Sequence, residues 1–371
     1  MKNKVLIISG TPIISGAEYV LGDYLSHTER VKDFEILHSD IRKVEEFYDN
    51  FKFSNKYKSK YLNPVGVVGN SKLNLLKKLL NLFYSFFIFY KIFKNKEITT
   101  VLGNNTGDTV YSVYSYLFGK KHINYIHDMI EQDSMIAKSI LFFDRFITRY
   151  IAVSNAVKNT LVQIGIEEDK IEVIYNGLEY NPNYIKKELG NKIIFGFVGN
   201  IDDRKNPLEF MNFIEVAQRI YKDKEVKGRM VFGSVLDEKL FETLQQSIKD
   251  KNLPIELLGR VDREKMQEFY NSIHFLVLTS KKDPLPTVIL EAFNNGIPVI
   301  AHNIDGVPEM AEDGVNGFLY NSDDDFERLI SKIENIYYQQ MQINANLTLR
   351  DKFSNSLKKK KLEVILFHTV R

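Results

Sequence analysis

Cysteine is absent from this chain of 371 residues. Its absence excludes a disulfide framework, a zinc–thiolate site and a thiol nucleophile. An excess of one charge is also missing, because 50 lysines and arginines oppose 48 aspartates and glutamates and leave a net charge of +2. Such a balance gives no support to nucleic acid as a partner. The remaining composition, 44% hydrophobic and 26% charged, is that of a globular protein large enough for two domains.

Long apolar runs are missing as well, and no stretch of the sequence reaches the length of a membrane span. The nearest is 79–90, twelve uncharged and aromatic-rich residues with lysines on both sides. If 72–96 forms one helix, packing against the side of a sheet is the favoured interpretation, and a helix lying in a membrane interface is the alternative. The apolar residues 5–9 are too few for a signal peptide, so we expect a cytoplasmic protein.

Short apolar segments alternate with helical segments along the whole chain. Continuous apolar runs bounded by glycine, asparagine and proline are typical of buried parallel strands, and their alternation with helices indicates β–α–β units. The candidate strands are 4–10, 34–40, 100–104, 123–127, 150–154 and 172–175, followed by 193–200, 229–233, 255–259, 275–280, 298–302 and 317–320. These two sets predict an α/β protein with two doubly wound, Rossmann-like domains.

The boundary between the two domains is predicted near residue 180. We assign 1–180 to the N-terminal domain and 181–348 to the C-terminal domain, because 176–191 combines glycine, proline and several asparagines, as hinges do. The residues 349–371 form a C-terminal segment, for which packing back on the N-terminal domain is one option. The segment 43–70 is predicted to contain a helix and a mobile surface loop.

The most informative segment is 281–301, which reads K-K-D-P-L-P-T-V-I-L-E-A-F-N-N-G-I-P-V-I-A. It places Asp283 and Glu291 eight residues apart, with a Pro-Leu-Pro turn and the start of a helix near Pro286 between them. The free amides of a helix start favour an anion, and the two carboxylates can accept hydroxyl hydrogen bonds from opposite ends of one ligand. The segment therefore predicts a site for a sugar nucleotide.

Three further loops follow predicted strands, which is where ligands bind in doubly wound sheets. Gly16 opens a helix after the first strand and permits a close backbone approach to a ligand, although a plain helix start explains it equally well. Arg204 and Lys205 precede a helix led by Asn-Pro and would complete a phosphate site, whereas the alternative is a solvated pair of charges. His127 either enters a cleft or makes a structural hydrogen bond.

Taken together, these motifs resemble the retaining glycosyltransferases of the GT-B fold, glycosyltransferase family 4 (glycosyltransferase group 1). The order and spacing of the motifs carry the resemblance, which extends over most of the chain. The motifs are S-G-A-E at 15–18, I-H-D at 126–128, I-A-V-S-N-A-V-K at 151–158, I-E-V-I-Y-N-G at 171–177, F-V-G-N-I-D-D-R-K-N-P at 197–207, L-L-G-R-V at 257–261, D-P-L-P-T-V-I-L-E-A at 283–292, G-I-P-V-I-A at 296–301 and D-G-V-P-E-M-A-E-D-G-V-N-G-F-L at 305–319.

The resemblance implies two Rossmann-like domains facing a central cleft, with the donor on the C-terminal domain and the acceptor on the N-terminal domain. It implies a hexosyltransferase that moves a hexose or N-acetylhexosamine from a UDP- or GDP-sugar to a glycan or polyprenyl-linked acceptor. The pathway implied is bacterial surface polysaccharide synthesis, of capsule, exopolysaccharide or lipopolysaccharide. Retention is expected through same-face attack, because no carboxylate is an obvious nucleophile. We expect no cofactor and no metal, since no Asp-x-Asp motif lies at a strand end.

The resemblance also implies roles for individual residues, with His127, Lys205 and Asp283 as the catalytic ones. Lys205 would contact the diphosphate, and His127 would lie near the transferred sugar. Asp283 takes the place usually given to a glutamate that holds the hydroxyls of that sugar. Glu291 falls where family members hold the ribose hydroxyls.

Further donor-binding residues are implied on the loops around this site. Gly16 would close over the diphosphate, and Arg260 lies where the family contacts the base. Asn200 stands where many members have an arginine, so part of the phosphate charge would fall to Arg204. The distal phosphate would be bound at the helix start, which comprises Leu285, Pro286, Thr287 and Val288.

Two other functions fit the same motifs. One is a sugar-nucleotide epimerase or hydrolase of the same fold, which would consume the donor without an acceptor. The other is a non-catalytic sugar-nucleotide-binding protein, for which the departures at Ser15 and Asn200 leave room. Peripheral contact with the cytoplasmic membrane is compatible with each of them, through the region 43–96 and the lysines at 358–361.

Overall fold

The computed structural model of the protein describes residues 3–12, 14, 16–62, 72–333 and 337–368. The chain divides into two compact units, of which the first comprises Met1–Gly177 and Asn355–Arg371 and the second comprises Leu178–Ser354. The sequence predicted these boundaries between residues 180 and 181 and between residues 348 and 349. Each unit has its own parallel sheet and its own hydrophobic core.

The first unit is built on seven parallel strands within the described residues. They are β1 (Lys4–Ser9), β2 (Phe34–Ser39), β3 (Asn55–Ser59), β4 (Ile98–Gly103), β5 (Lys121–Ile126), β6 (Arg149–Ala152) and β7 (Ile171–Val173). Their order across the sheet is β3-β2-β1-β4-β5-β6-β7. The strands β1, β2 and β4 are buried along nearly their whole length, which explains the apolar run V-L-I-I of β1, although β2 also buries Glu35 and His38.

Helices connect these strands and supply most of the core. They are α1 (Gly16–His27), α2 (Arg42–Asp49), α3 (Lys72–Phe93), α4 (Ser112–Leu117), α5 (Met135–Phe143) and α6 (Asn155–Gln163). On α3, the buried residues Phe89, Ile92 and Phe93 share a core with Leu6 of β1 and Val101 of β4. This confirms the favoured interpretation that the helix packs against a sheet.

The second unit has six parallel strands within the described residues. The strands are β8 (Lys192–Val198), β9 (Glu225–Val231), β10 (Ile255–Gly259), β11 (Phe275–Leu278), β12 (Val299–His302) and β13 (Gly317–Tyr320). The helices are α7 (Pro207–Ile220), α8 (Glu238–Asp250), α9 (Met266–Ser272), α10 (Thr287–Asn294), α11 (Asp325–Ile333) and α12 (Tyr338–Lys352). The strand order is β10-β9-β8-β11-β12-β13. Two Rossmann-like α/β units are therefore present, as predicted.

All twelve strands predicted from the sequence are present, with ends displaced by a few residues. The strand β3 was not predicted, because its sequence N-K-Y-K-S contains no apolar run. It lies at the edge of its sheet, and most of its residues are exposed. The helix predicted within 43–70 is α2, and residues 63–70, where a mobile loop was expected, lie outside the described part of the chain.

The last helix, α13 (Asn355–Phe367), belongs to the first unit and packs against α1, β1 and β4. Its Phe367 meets Phe34 of β2 edge to face, with ring centroids 5.3 Å apart. Lys358 is buried in this interface, and its Nζ donates to the carbonyl of Val20 at 2.6 Å. The prediction that the lysines at 358–361 could together face a membrane is therefore wrong for Lys358.

Candidate functional site

The strand order of the second unit reverses at β8 and β11, which lie side by side. From β8 the sheet continues to β9 and β10, and from β11 it continues in the opposite direction to β12 and β13. The crevice outside the carboxyl ends of the strands at such a switch point is the usual ligand site of an open α/β sheet. The two loops that leave these strands carry Lys205 and Asp283.

Lys205 is held on a turn with several hydrogen bonds. Its backbone N–H donates to Oδ1 of Asp202 at 2.7 Å, and its carbonyl accepts from the hydroxyl of Thr279 at 2.9 Å. The next residue, Asn206, has a φ of 49°, a left-handed conformation that turns the chain into α7. A Cβ on Gly199 would come within 3.2 Å of Cγ of Lys205, so glycine makes room for the lysine side chain.

Lys205 and Asp283, 78 residues apart in the sequence, form a salt bridge with Nζ 2.6 Å from Oδ2. Both side chains are largely buried, with exposed fractions of 13% and 8%. The backbone N–H of Asp283 donates to Oδ2 of Asp305 at 2.8 Å, which fixes the loop from its other side. The pair carries no net charge, so an incoming diphosphate could replace Asp283 as the partner of the ammonium group.

The helix α10 begins immediately after this pair. Pro286 is its N-cap, and no side chain caps the helix there. The first amides of a helix have no acceptor within it, and the helix dipole adds partial positive charge at the same end. Leu285 is buried, while Thr287 and Val288 are partly exposed. Of the residues predicted to bind the distal phosphate, Thr287 and Val288 offer first-turn amides of α10, whereas Pro286 has no N–H to donate.

Glu291 lies one turn further along α10 and is partly buried. Its Oε2 accepts a hydrogen bond of 2.7 Å from the hydroxyl of Tyr270 on α9. Burial raises the pKa of Glu291, while the hydrogen bond from Tyr270 and the positive charge of Arg263 act against that rise. Burial and the neighbouring carboxylate raise the pKa of the Tyr270 phenol, which therefore remains a donor. Tyr270 was not predicted, because it belongs to an ordinary short helix without a motif.

The other predicted residues of this unit are Arg204, Asn200 and Arg260, and each lies on a loop that follows a strand. Arg204 has an exposed side chain, and its carbonyl accepts the N–H of Lys281 at 2.8 Å, which joins the two loops. Asn200 lies two residues after the end of β8, and its Oδ1 lies close to Gly233 beyond the end of β9. Arg260 is exposed after β10, the edge strand two positions from β8. The backbone of Arg204 is thus connected to the loop that carries Asp283, whereas Arg260 lies towards the margin of the sheet.

His127 and Gly16 belong to the first unit, where each follows a strand of that sheet. The ring of His127 packs against Tyr125 with centroids 4.2 Å apart, and its buried Nε2 has no hydrogen-bond partner among the described residues. Burial, assisted by the positive charge of Lys358, lowers the pKa of His127 to about 3, so the imidazole is neutral at physiological pH. A Cβ on Gly16 would meet nothing within 4 Å, so local packing does not require glycine at the start of α1.

The first unit contains a buried polar cluster that was not predicted from the sequence. Glu18 on α1 accepts from the side chain of Asn105 at 3.0 Å, and Asp108 accepts the backbone N–H of Gly10 at 3.2 Å. Burial raises the pKa of Asp108 to about 8. The cluster connects the loops that follow β1 and β4, and its members come together only when these two strands are neighbours.

Within the residues that the structure describes, no group of three or more histidines, aspartates or glutamates lies close enough together to hold a metal ion. The acidic run at 323–325 leads into α11, and Asp325 forms a salt bridge of 2.8 Å with Arg328. Metal-independent activity therefore stays a prediction.

Two family profiles match the chain along most of its length. The profile described as Glycosyltransferase Family 4 matches residues 50–181, and the one described as Glycosyl transferases group 1 matches residues 183–359. Together with the two parallel-sheet units, these matches define the class of the protein as a glycosyltransferase. The chain belongs to the glycosyltransferases of family 4 and group 1, which confirms the family and the class of enzyme predicted from the motifs.

Relatives with assigned names have similar sequences. The chain is 27% identical over 231 residues to the UDP-Gal:alpha-D-GlcNAc-diphosphoundecaprenol alpha-1,3-galactosyltransferase of Escherichia coli, an alignment that covers 58% of this chain and 56% of the relative. It is 23% identical over 235 residues to the capsular polysaccharide biosynthesis glycosyltransferase CapM of Staphylococcus aureus, with coverage of 58% and 60%. The chain thus spans little more than half the length of these two relatives.

Solved structures have the same fold. The structure of Alr3699/HepE of Anabaena in complex with UDP matches with a TM-score of 0.78 at 19% identity, and the match covers 98% of this chain and 99% of that one. The same Anabaena protein in complex with UDP-glucose gives a TM-score of 0.74 at 18% identity over the same shares of the two chains. The similarity confirms the predicted GT-B fold.

Proposed function

We propose that the protein is a retaining glycosyltransferase that moves a hexose or N-acetylhexosamine from a UDP-sugar to a glycan or polyprenyl-linked acceptor. The observation that carries the proposal is the salt bridge between Lys205 and Asp283 beside the start of α10, with Glu291 one turn further on. A cation, free helix amides and two carboxylates match the parts of a nucleotide diphosphate sugar, which has two phosphates between two sets of hydroxyls.

The donor would use these groups in a fixed order. The diphosphate binds the ammonium group of Lys205 and the first amides of α10. Because Asp283 then loses its salt bridge to Lys205, its carboxylate can accept hydrogen bonds from the hydroxyls of the transferred sugar. Glu291, held by Tyr270, accepts the ribose hydroxyls. Charge stabilisation of this kind at a leaving group typically contributes about 10²–10³-fold in rate for each donor.

Transfer would proceed on one face of the sugar. The bond between the anomeric carbon and the phosphate oxygen breaks, and its electron pair stays on that oxygen, next to Lys205. The oxygen of the acceptor hydroxyl bonds to the anomeric carbon from the same face, and its proton passes to the departing phosphate oxygen. For His127, which the family resemblance assigns to the sugar, the neutral imidazole would add no positive charge to an oxocarbenium-like transition state.

The named relatives support the choice of donor and acceptor. The Escherichia coli relative is named for UDP-Gal, and the Anabaena structures hold UDP or UDP-glucose, so we favour UDP over GDP. The same Escherichia coli enzyme is named for a diphosphoundecaprenol-linked acceptor, and the Staphylococcus aureus relative for capsular polysaccharide biosynthesis. We therefore propose a step in bacterial surface polysaccharide synthesis at the cytoplasmic face of the membrane, where a polyprenyl-linked acceptor would be held.

The decisive experiment has two stages. Thermal unfolding with UDP-, GDP- and ADP-sugars identifies the donor, because a ligand that binds only the folded state raises Tm. The selected donor is then incubated with polyprenyl diphosphate-linked saccharides, with and without a chelator, and the anomeric configuration of the product is determined by NMR. We expect an α-linked product from an α-linked donor in both conditions. An inverted linkage would rule out the mechanism, and donor turnover without acceptor would identify a hydrolase or epimerase instead.

A further inference from the structure

The helix α3 is apolar on two opposite sides. One side is buried in the core of the first unit through Phe89, Ile92 and Phe93. The other side exposes five large apolar residues with exposed fractions between 45% and 58%, and we call these the α3 face: Leu80, Phe83, Tyr84, Phe87 and Tyr90. A helix that packs against a core normally presents polar residues to solvent, so the α3 face requires a separate explanation.

The five residues form one continuous surface. At about 100° per residue they fall within an arc of roughly 120°, and they extend for about 15 Å along the helix axis. The ring of Phe83 contacts those of Phe87 and Tyr84, with centroids 5.3 Å and 5.8 Å apart. Tyr61 extends the surface beyond the helix, since its ring stacks on Tyr84 with centroids 4.9 Å apart.

The charges that α3 itself carries beside this face have one sign. Lys91 and Lys94 are exposed on the same arc of the helix, and Nζ of Lys94 lies 4.9 Å from the ring centroid of Tyr90. No aspartate or glutamate occurs between residues 72 and 96. Aromatic rings bordered by lysines complement the boundary of an anionic bilayer, where rings enter below the headgroups and ammonium groups meet the phosphates. A second copy of the same face would offer these lysines no carboxylate.

We propose that the α3 face docks the protein on the surface of an anionic phospholipid bilayer. The aromatic residues would lie parallel to the membrane in the interface, while Lys91 and Lys94 bind lipid phosphates. The helix would lie on the membrane without crossing it. No helix among the described residues is long and apolar enough to cross a membrane. The proposal rests on the first unit alone, so it does not depend on the donor chemistry assigned to the second.

Co-sedimentation of the full chain with vesicles tests the proposal. The vesicles are pure phosphatidylcholine or contain about one third phosphatidylglycerol, at low and at high salt. The test variants are Phe83→Gln with Phe87→Gln, and Lys91→Glu with Lys94→Glu. The control is Leu236→Gln, at an apolar residue of the second unit that is at least as exposed as the two phenylalanines. Tm and UDP binding of each variant are measured in parallel, to show that the fold and the donor site are unchanged.

We expect the wild-type chain to bind the anionic vesicles and to dissociate partly at high salt. The double phenylalanine variant should lose about tenfold or more in partitioning, because two large apolar side chains are no longer buried. The charge-reversal variant should lose about as much on anionic vesicles only. Absence of wild-type binding, or equal binding by the double phenylalanine variant and the control, would overturn the proposal. Concentration-dependent dimers that the phenylalanine substitutions abolish, without lipid binding, would overturn it in favour of a contact between copies.

Discussion

Removing the hydroxyl group of Tyr270 should weaken the binding of UDP without unfolding the second unit. Tyr270 is 2% exposed, and its phenol donates to Oε2 of Glu291 at 2.7 Å. The substitution Tyr270→Phe keeps the ring and its contact with Phe269, whose centroid lies 5.5 Å away. A hydrogen bond to a charged group contributes about 1.5–3 kcal/mol. If about half of that is lost from nucleotide binding, Kd for UDP rises about four- to twelvefold.

The same substitution should change how UDP binding depends on pH. Burial already raises the pKa of Glu291, and the hydrogen bond from Tyr270 is the larger of the two effects that oppose the rise. Without the phenol, the pKa of Glu291 rises further and the carboxyl group takes up its proton at a higher pH. Because only the carboxylate accepts from both ribose hydroxyls, UDP affinity should begin to fall at a higher pH than in the wild-type protein. Calorimetric titrations between about pH 5 and pH 8 measure this.

A nucleotide without ribose hydroxyls provides the control. If Glu291 accepts those hydroxyls, Tyr270→Phe should leave the affinity for 2′,3′-dideoxy-UDP nearly unchanged while it weakens that for UDP. An equal loss for both nucleotides would refute the reasoning, because the phenol would then support the fold and not the carboxylate. Thermal unfolding of the ligand-free variant shows separately whether the second unit has lost stability.

Three further substitutions test other parts of the structure. Lys205→Ala should lower kcat about 10²–10³-fold in a transfer assay while the fold is retained, whereas the exposed Lys251→Ala should have no effect. Normal turnover of the first variant would disprove the phosphate site. Burial lowers the pKa of Lys358 from 10.5 to about 8. Between these two pH values the unfolded chain therefore binds more protons than the folded chain. The free energy of unfolding should consequently rise with pH from about 8 to 10.5. Lys358→Met should make that rise less steep in urea unfolding curves, because Lys187, whose pKa burial also lowers to about 8, keeps its own contribution. An unchanged slope would contradict the assignment. Gly10→Ala should destabilise the chain by about 1–3 kcal/mol in the same assay, because the added Cβ would lie 2.7 Å from Oδ1 of Asp108. If the Gly10→Ala variant is as stable as the wild-type protein, the contact relaxes freely.

The sequence by itself determined the order of the elements and the places where ligands can bind. Strands buried on both faces are continuous apolar runs, so each is visible without knowledge of its neighbours. The edge strand β3 was missed for the same reason, since an exposed strand needs no such run. Lys205 and Asp283 were assigned to loops after predicted strands, and the structure has them on the loops after β8 and β11.

Only the tertiary structure decided which of these groups touch. The contact between Lys205 and Asp283 requires β8 and β11 to be neighbours, which depends on the topology of the whole sheet. Tyr270 and Glu291 belong to helices whose sequences carry no sign of their hydrogen bond. A run of four lysines suggests a solvated surface, yet Lys358 is buried because α13 packs against the first unit. Partners distant in sequence are selected by the packing of whole elements, and a local pattern contains no information about that packing.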